Sequence, residues 1–165
     1  MYKVALAISL TFVSFPAQSK AQNFDVGLAA AQKGDYATAL QEWRPLAEQG
    51  YAAAQANLGV LYDGGMGVPQ NYNKAASWYR AAAEQDNVRA QRGLGWIWVR
   101  HLQFSEPHLD TYITAHMWLN IAAANGDDRA RVKRDIIEKS LSPFDILEAQ
   151  RRASTCLSTN YRDCD

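Results

Sequence analysis

The hexapeptide Ala54-Gln55-Ala56-Asn57-Leu58-Gly59 returns 36 positions later as Ala90-Gln91-Arg92-Gly93-Leu94-Gly95. Its surroundings return with it. Tyr36, Tyr72 and Tyr112 fall in one column, Ala39, Ala75 and Ala115 in the next, and Trp43, Tyr79 and Leu119 in a third. Ala47, Ala83 and Ala123 follow, then the turn positions Gly50, Asp86 and Gly126. The spacing is 36 and then 40, so the later unit carries an insertion. Self-similarity at a period of about 20–50 residues marks stacked units, each too thin to bury its own apolar face.

The units are helical. In residues 71–85 the apolar positions are Tyr72, Ala75, Ala76, Tyr79, Ala82 and Ala83, the i, i+3, i+4, i+7 pattern of an amphipathic helix. No stretch alternates as a strand would. The alanine and glycine columns let helix axes approach, and the Tyr and Trp columns are expected to fill the wider gaps between layers. Gly34-Asp35, Gly50, Asp63-Gly64-Gly65-Met66-Gly67-Val68-Pro69, Asn125-Gly126-Asp127 and Ser142-Pro143 punctuate the pattern with caps and turns. The expectation is an all-α fold of about eight helices in antiparallel pairs.

Residues 51–87, with Leu58-Gly59, Tyr62, Gly65, Gly67-Val68, Lys74-Ala75, Trp78-Tyr79 and Ala82-Ala83, resemble the Sel1-like repeat, a relative of the tetratricopeptide repeat. The second full unit, 88–126, keeps Ala90-Gln91, Leu94-Gly95, Ala115, Trp118 and Ala122-Ala123 but lacks the glycine loop between its helices. Residues 24–50 and 127–153 are degenerate units placed as caps, and 154–165 form a C-terminal tail. Ser142-Pro143-Phe144 before Ile146-Leu147-Glu148-Ala149-Gln150 is similar to the closing helix of many bacterial members. The resemblance implies an α/α solenoid, in a bacterial exported member, that recruits or scaffolds other proteins.

The N-terminus bears on compartment. Lys3 precedes an apolar stretch from Val4 to Phe15, about 12 residues and too short for a comfortable bilayer span. Pro16-Ala17-Gln18-Ser19-Lys20-Ala21 then offers small residues at the positions a signal peptidase reads for a cut after Ala21. The expectation is a cleaved signal peptide, 1–21, and a periplasmic or secreted protein with no stable membrane anchor; a retained anchor or a buried helix is the competing reading. Cys156 and Cys164 fit no C-x-x-C or zinc-ligand spacing. In an oxidising compartment they would pair and pin the tail, a bond worth about 2–3 kcal/mol, against the alternative of two free thiols.

Composition excludes several function classes. Without residues 1–21 about 144 remain, and loss of Lys3 and Lys20 takes 17 basic residues to 15 against 17 acidic ones. A chain near −2 is no polycation, so nucleic acid is not an expected partner. His101, His108 and His116 are spaced by seven and eight, which puts no pair on one helical turn as a metal site prefers. There is no G-x-S-x-G elbow and no H-E-x-x-H. The Gly64–Val68 run lacks the Lys-Ser or Lys-Thr of a phosphate loop and reads as a turn. The sequence specifies no enzyme, no cofactor and no metal.

In relatives of this repeat the first helix of each pair lines the concave side. The matching positions in the second full unit are Arg89, Arg92, Trp96, Val99 and Arg100, which share a helical face. In the preceding unit they are Ala53, Ala56, Val60, Asp63 and Gly64, small and nearly uncharged. An Arg-Trp-Arg surface suits an acidic peptide or a partner helix laid in the groove; equally, the arginines solvate a helix while Trp96 packs on its neighbour. Trp98 aligns with Tyr62 and Trp118 with Trp78, and both are expected in the core. The insertion Gln103-Phe104-Ser105-Glu106-Pro107-His108-Leu109-Asp110 is either a docking loop or a neutral one.

The functional expectation is a non-enzymatic adaptor, scaffold or regulator that holds another protein of the bacterial envelope. The alternative is binding of peptidoglycan fragments or inhibition of a cell-wall enzyme. End-to-end assembly is disfavoured because Arg129, Arg131, Lys133 and Arg134 make the last unit a polar cap, so a monomer is expected.

Overall fold

The computed structural model of the chain describes residues 20–104 and 109–164, the side chains of 20–22 and 101–104 excepted. The candidate signal segment up to residue 19 and insertion residues 105–108 lie outside the described residues. Among the described residues there are eight helices and no strand: α1 Lys20–Gln32, α2 Tyr36–Glu48, α3 Ala52–Gly64, α4 Tyr72–Ala83, α5 Val88–Phe104, α6 Leu109–Ala124, α7 Asp128–Glu138 and α8 Pro143–Ser158. Each helix packs on the next from α1 to α7, α3 also touches α5, and α8 packs on α6. The architecture is an α/α solenoid.

Helix ends are fixed locally. Asp35, Asn71 and Asp127 each accept a hydrogen bond from a backbone N–H three residues on, and Ser142 forms a capping box with Asp145. In the glycine loop Gly65 caps α3 at φ 66°. Gly67, at φ 68°, lies so close to Tyr36 that an added Cβ would stand 2.8 Å from the tyrosine Cβ. The run is the turn expected.

The repeat columns become the core. Ala39, Ala75 and Ala115 are fully buried, as are Ala54, Ala90 and Ala130, and Leu61, Ile97 and Ile137 make a further buried column. Register therefore persists into α7. The large column clusters with the next unit's first helix, as expected, and also fills a site within its own pair. An added Cβ would stand 2.5 Å from the Trp43 ring at Gly27, 2.4 Å from the Tyr79 ring at Gly59 and 2.6 Å from Leu119 at Gly95. In each of the first three antiparallel pairs a glycine on the first helix receives the large side chain of the second. Tyr79 meets a second glycine as well, Gly93 of the next unit, where an added Cβ would stand 2.8 Å from its ring.

The repeated glutamine satisfies buried polar groups. Gln55 Nε2 donates to the Ala47 carbonyl and Gln55 Oε1 accepts from Gln85, at 3.1 and 2.8 Å. Gln91 Oε1 likewise accepts from Asn125 at 2.9 Å, but Gln91 Nε2 donates to the hydroxyl of Tyr161. That contact seats the C-terminal tail against α5. Tyr161 also donates to Asp86 and stacks on Trp118 with ring centroids 6.5 Å apart, and Tyr161, Cys156 and Cys164 are buried.

Cys156 and Cys164 form a disulfide. It closes a short loop in which Asn160 and Tyr161 both take positive φ, 52° and 63°, a conformation side chains disfavour by about 1–2 kcal/mol per residue. The bond thus holds Tyr161 in a place the backbone alone would resist. Cys156→Ser with Cys164→Ser is expected to lower unfolding free energy by about 2–3 kcal/mol, read by urea denaturation. A shift of a few tenths would show that the tail docks without the bond. Burial, then Asp86, push the Tyr161 phenol up to about 12, so the fold holds the neutral phenol. That contribution is complete below the ordinary value of 10 and is lost as pH rises towards 12.

Candidate partner-binding groove

The first helices of successive pairs lie side by side, and a cavity of about 290 Å³ opens along α3, α5 and α7. Val60 and Asp63 come from α3, Arg89, Arg92, Gly93 and Trp96 from α5, and Arg129 and Lys133 from α7. Tyr79 of α4 reaches the same cavity from behind, through the gap its two glycines leave.

Arg89, Arg92, Arg100 and Lys133 are each held by a different device. Arg89 donates to Asn57 Oδ1 at 2.8 Å, and Arg92 pairs with Asp127, the cap of α7. Arg100 lies 3.2 Å from Asp63 and 5.6 Å from the Trp96 ring, while Lys133 Nζ lies 3.0 Å from that ring's centre. Trp96 is thus flanked by two cations. Arg129 and Lys133 have no carboxylate against them among the described residues. Burial, then the charges of Arg92 and Arg100, hold the Lys133 ammonium below its ordinary range. The cavity carries an excess of positive charge.

Asp63 is the opposing term. Its Oδ1 is buried and accepts no hydrogen bond, since Arg100 sits within ion-pair distance but outside hydrogen-bond geometry. Burial raises its pKa above 3.8, and Arg100 only partly offsets this. The folded protein therefore binds this proton more tightly than the unfolded chain, and ionising Asp63 costs stability as pH climbs through the folded value. Asp63→Asn should gain melting temperature relative to wild type on going from pH 3 to pH 7. A constant difference across that range would show that Arg100 fully compensates the carboxylate.

Of the expected site residues, Arg89, Arg92 and Trp96 line one cavity, and Arg100 closes its end through Asp63 and Trp96. Val99 does not join them: it packs with Trp98 and Tyr112 against the α6–α7 cluster of Ala115, Leu119 and Ile137. Three residues after Trp96, short of the 3.6 of a full helical turn, it lies at the edge of the groove face, on the side turned towards α6. Ala56 is likewise core. Trp118 is fully buried and Trp98 half-buried, both packed in the core.

Arg129 and Lys133, read from sequence as cap charges, turn into the groove instead. The signal was available: Arg129 lies 40 positions after Arg89, the same step that carries Ala90 to Ala130. Arg131 and Arg134 do behave as cap charges, pairing with Asp128 and with Asp135 and Glu138. The closing end is nevertheless not wholly polar, because Val132 and Ile136 of α7 are exposed. Their columns are those of Arg92 and Trp96, which face the following first helix; among the described residues no further first helix follows α7.

Among the described residues no group of His, Cys, Asp and Glu could hold a metal ion. Buried His116 bonds Glu138 at 2.8 Å and ties α6 to α7. A second polar cavity, beside the disulfide, is internally neutralised: Arg151 and Arg152 pair with Glu148, and Arg152 also with Asp110. No described helix is long and apolar enough to cross a membrane.

Residues 52–87 and 88–127 each match the Sel1 repeat. The chain contains two Sel1 repeats. Over 79% of its length it is 37% identical to DAP3-binding cell death enhancer 1 of Rattus norvegicus, covering 30% of that protein. Against the Mus musculus protein of the same name the figures are 26% identity, 76% of this chain and 29% of the relative. The chain spans under a third of these curated relatives. Among solved Sel1 repeat structures it is similar to a protective antigen of uropathogenic Escherichia coli with an SLR fold, at TM-score 0.76, 26% identity and coverage of 88% of this chain and 31% of that one. It is also similar to a Sel1 repeat protein of Oxalobacter formigenes, at TM-score 0.56, 27% identity, 70% and 87% coverage. Sel1 repeat proteins generally mediate protein–protein interactions, and the fold is typically a non-enzymatic scaffold.

Proposed function

We propose that this chain is a non-enzymatic adaptor of the bacterial envelope, periplasmic or secreted, that holds another protein in its concave groove. The observation that carries the reading is the convergence of Arg89, Arg92, Trp96, Arg129 and Lys133 from two first helices on one cavity. Arg and Trp dominate interface hot spots, because each combines a large contact area with directed polar groups. Export is supported by the apolar Val4–Phe15 stretch with its small-residue cut site, and by the Cys156–Cys164 bond, which an oxidising compartment favours. That relatives carry a name denoting binding to another protein agrees with the adaptor reading.

The test is photocrosslinking from position 92 in intact cells, with the captured species identified by mass spectrometry. One discrete envelope protein is expected. Its affinity for the purified chain should fall about thirtyfold, about 2 kcal/mol, on Arg92→Ala with Trp96→Ala, while circular dichroism stays unchanged. Capture of a glycan would move the assignment to cell-wall fragments. Equal affinity of wild type and double variant would remove the groove from the interface.

A further inference from the structure

The cationic cavity continues past Arg89. A second cavity of about 240 Å³ adjoins it, and Val60 and Arg89 line both. The second is apolar in character, walled by Leu28 and Ala31 of α1, Trp43 of α2, Leu61 of α3 and Met66 of the glycine loop. Leu28 is 40% exposed there, a large aliphatic side chain left in water at the mouth. One trough thus runs across α1, α3, α5 and α7, apolar at the α1 end and cationic at the α7 end.

We infer that the occupant of this trough is a protein segment in which carboxylates stand next to an apolar block, with the carboxylates over Arg92, Arg129 and Lys133 and the apolar side chains over Leu28 and Met66. The inference rests on the groove reading above and adds the partner's chemistry to it. Charge complementarity carries the acidic half. Arg92 and Arg100 have their carboxylates in Asp127 and Asp63, whereas Arg129 and Lys133 have none among the described residues. Burial, and after it the charges of Arg92 and Arg100, depress the Lys133 ammonium, and an incoming anion would offset both. The apolar half follows from shape, since a trough that stayed cationic along its length would take a simple polyanion, and this one changes character at Arg89. Val60, common to both cavities, sits where the occupant passes from one chemistry to the other. Asp63 sets a limit on the acidic half, standing among the cations and repelling the same ligand.

The experiment is selection of linear peptides from a random phage-displayed library on the intact purified chain, repeated on Arg129→Glu with Lys133→Glu and on Leu28→Asp. Wild type should enrich sequences with Asp or Glu beside Leu, Phe, Ile or Met. The charge-reversed variant should lose the acidic half of that consensus and keep the apolar half, and Leu28→Asp should do the opposite. An end-capped peptide of the wild-type consensus should bind at least tenfold more weakly to the charge-reversed variant, and more tightly to Asp63→Asn, by fluorescence anisotropy. Enrichment of neutral, basic or purely acidic sequences overturns the inference, as does a consensus that neither variant changes or no enrichment at all. Should position 92 crosslink a discrete protein while these selections fail, only the occupant's chemistry is wrong. Should both fail, the groove reading falls with it.

Discussion

Replacing Tyr79 with alanine will lower the unfolding free energy by about 3–5 kcal/mol, the range for emptying a buried aromatic site. The ring is 3% exposed and fills the space between Gly59 on α3 and Gly93 on α5. On those two sides the neighbours are glycine, so no side chain can lean into the void from there. Its hydroxyl end reaches the groove cavity, where burial, then Asp63, raise its pKa and keep it neutral. Tyr79→Phe keeps the wedge and should cost far less, about 1 kcal/mol or below. Urea denaturation of the two variants decides the point. Equal losses would mean that the hydroxyl, not the ring's volume, matters. Filling from the other side, Gly59→Ala, puts a Cβ 2.4 Å from the ring and should cost about 1–3 kcal/mol by overpacking.

Trp118→Ala is expected to cost a comparable 3–5 kcal/mol. The indole is fully buried on α6, with Tyr161 parallel to it at an interplanar angle of 3° and the Arg80 guanidinium 5.9 Å from the ring centre. The loss should exceed that of breaking the disulfide, because the alanine variant empties the site and also removes the surface on which Tyr161 rests. Trp118→Phe separates volume from hydrogen bonding. The indole Nε1 is buried without a partner, so phenylalanine sheds an unsatisfied donor while giving up only part of the volume. A phenylalanine variant as unstable as the alanine one would show that the nitrogen has a partner in solution. Thermal melts of both variants, oxidised and reduced, supply the comparison; in Trp118→Ala reduction should matter less, since Tyr161 has already lost its seat.

The repeat made most of this fold legible. Alanine columns at steps of 36 and 40 can be buried together only in stacked helix pairs, and the eight helices stand where the breakers put them. The large column was harder to place. Sequence spacing shows that Trp43, Tyr79 and Leu119 are equivalent but not which partner each meets, and the glycines that receive them lie on a helix whose offset varies with loop length. Half of the groove was visible on α5. The α7 half was hidden because charge on a terminal unit reads as solvation, and only extending the register from Ala90 to Ala130 and from Ile97 to Ile137 shows that Arg129 shares Arg89's column. Tyr161 was out of reach altogether. It belongs to no repeat column, and its contacts lie 70 and 75 residues away at Gln91 and Asp86.

Those two contacts bear on the order in which the molecule assembles. A solenoid whose units touch only their neighbours can fold progressively, each unit settling as it is made and fraying independently at the ends. Here the turn between α4 and α5 keeps an unmet partner until residue 161 has been synthesised and Cys164 has found Cys156. The middle of the stack is finished by its last segment. Unfolding of these eight helices should accordingly proceed as one transition, with no half-melted array left behind, and oxidation of one short loop secures contacts made two units earlier in the stack.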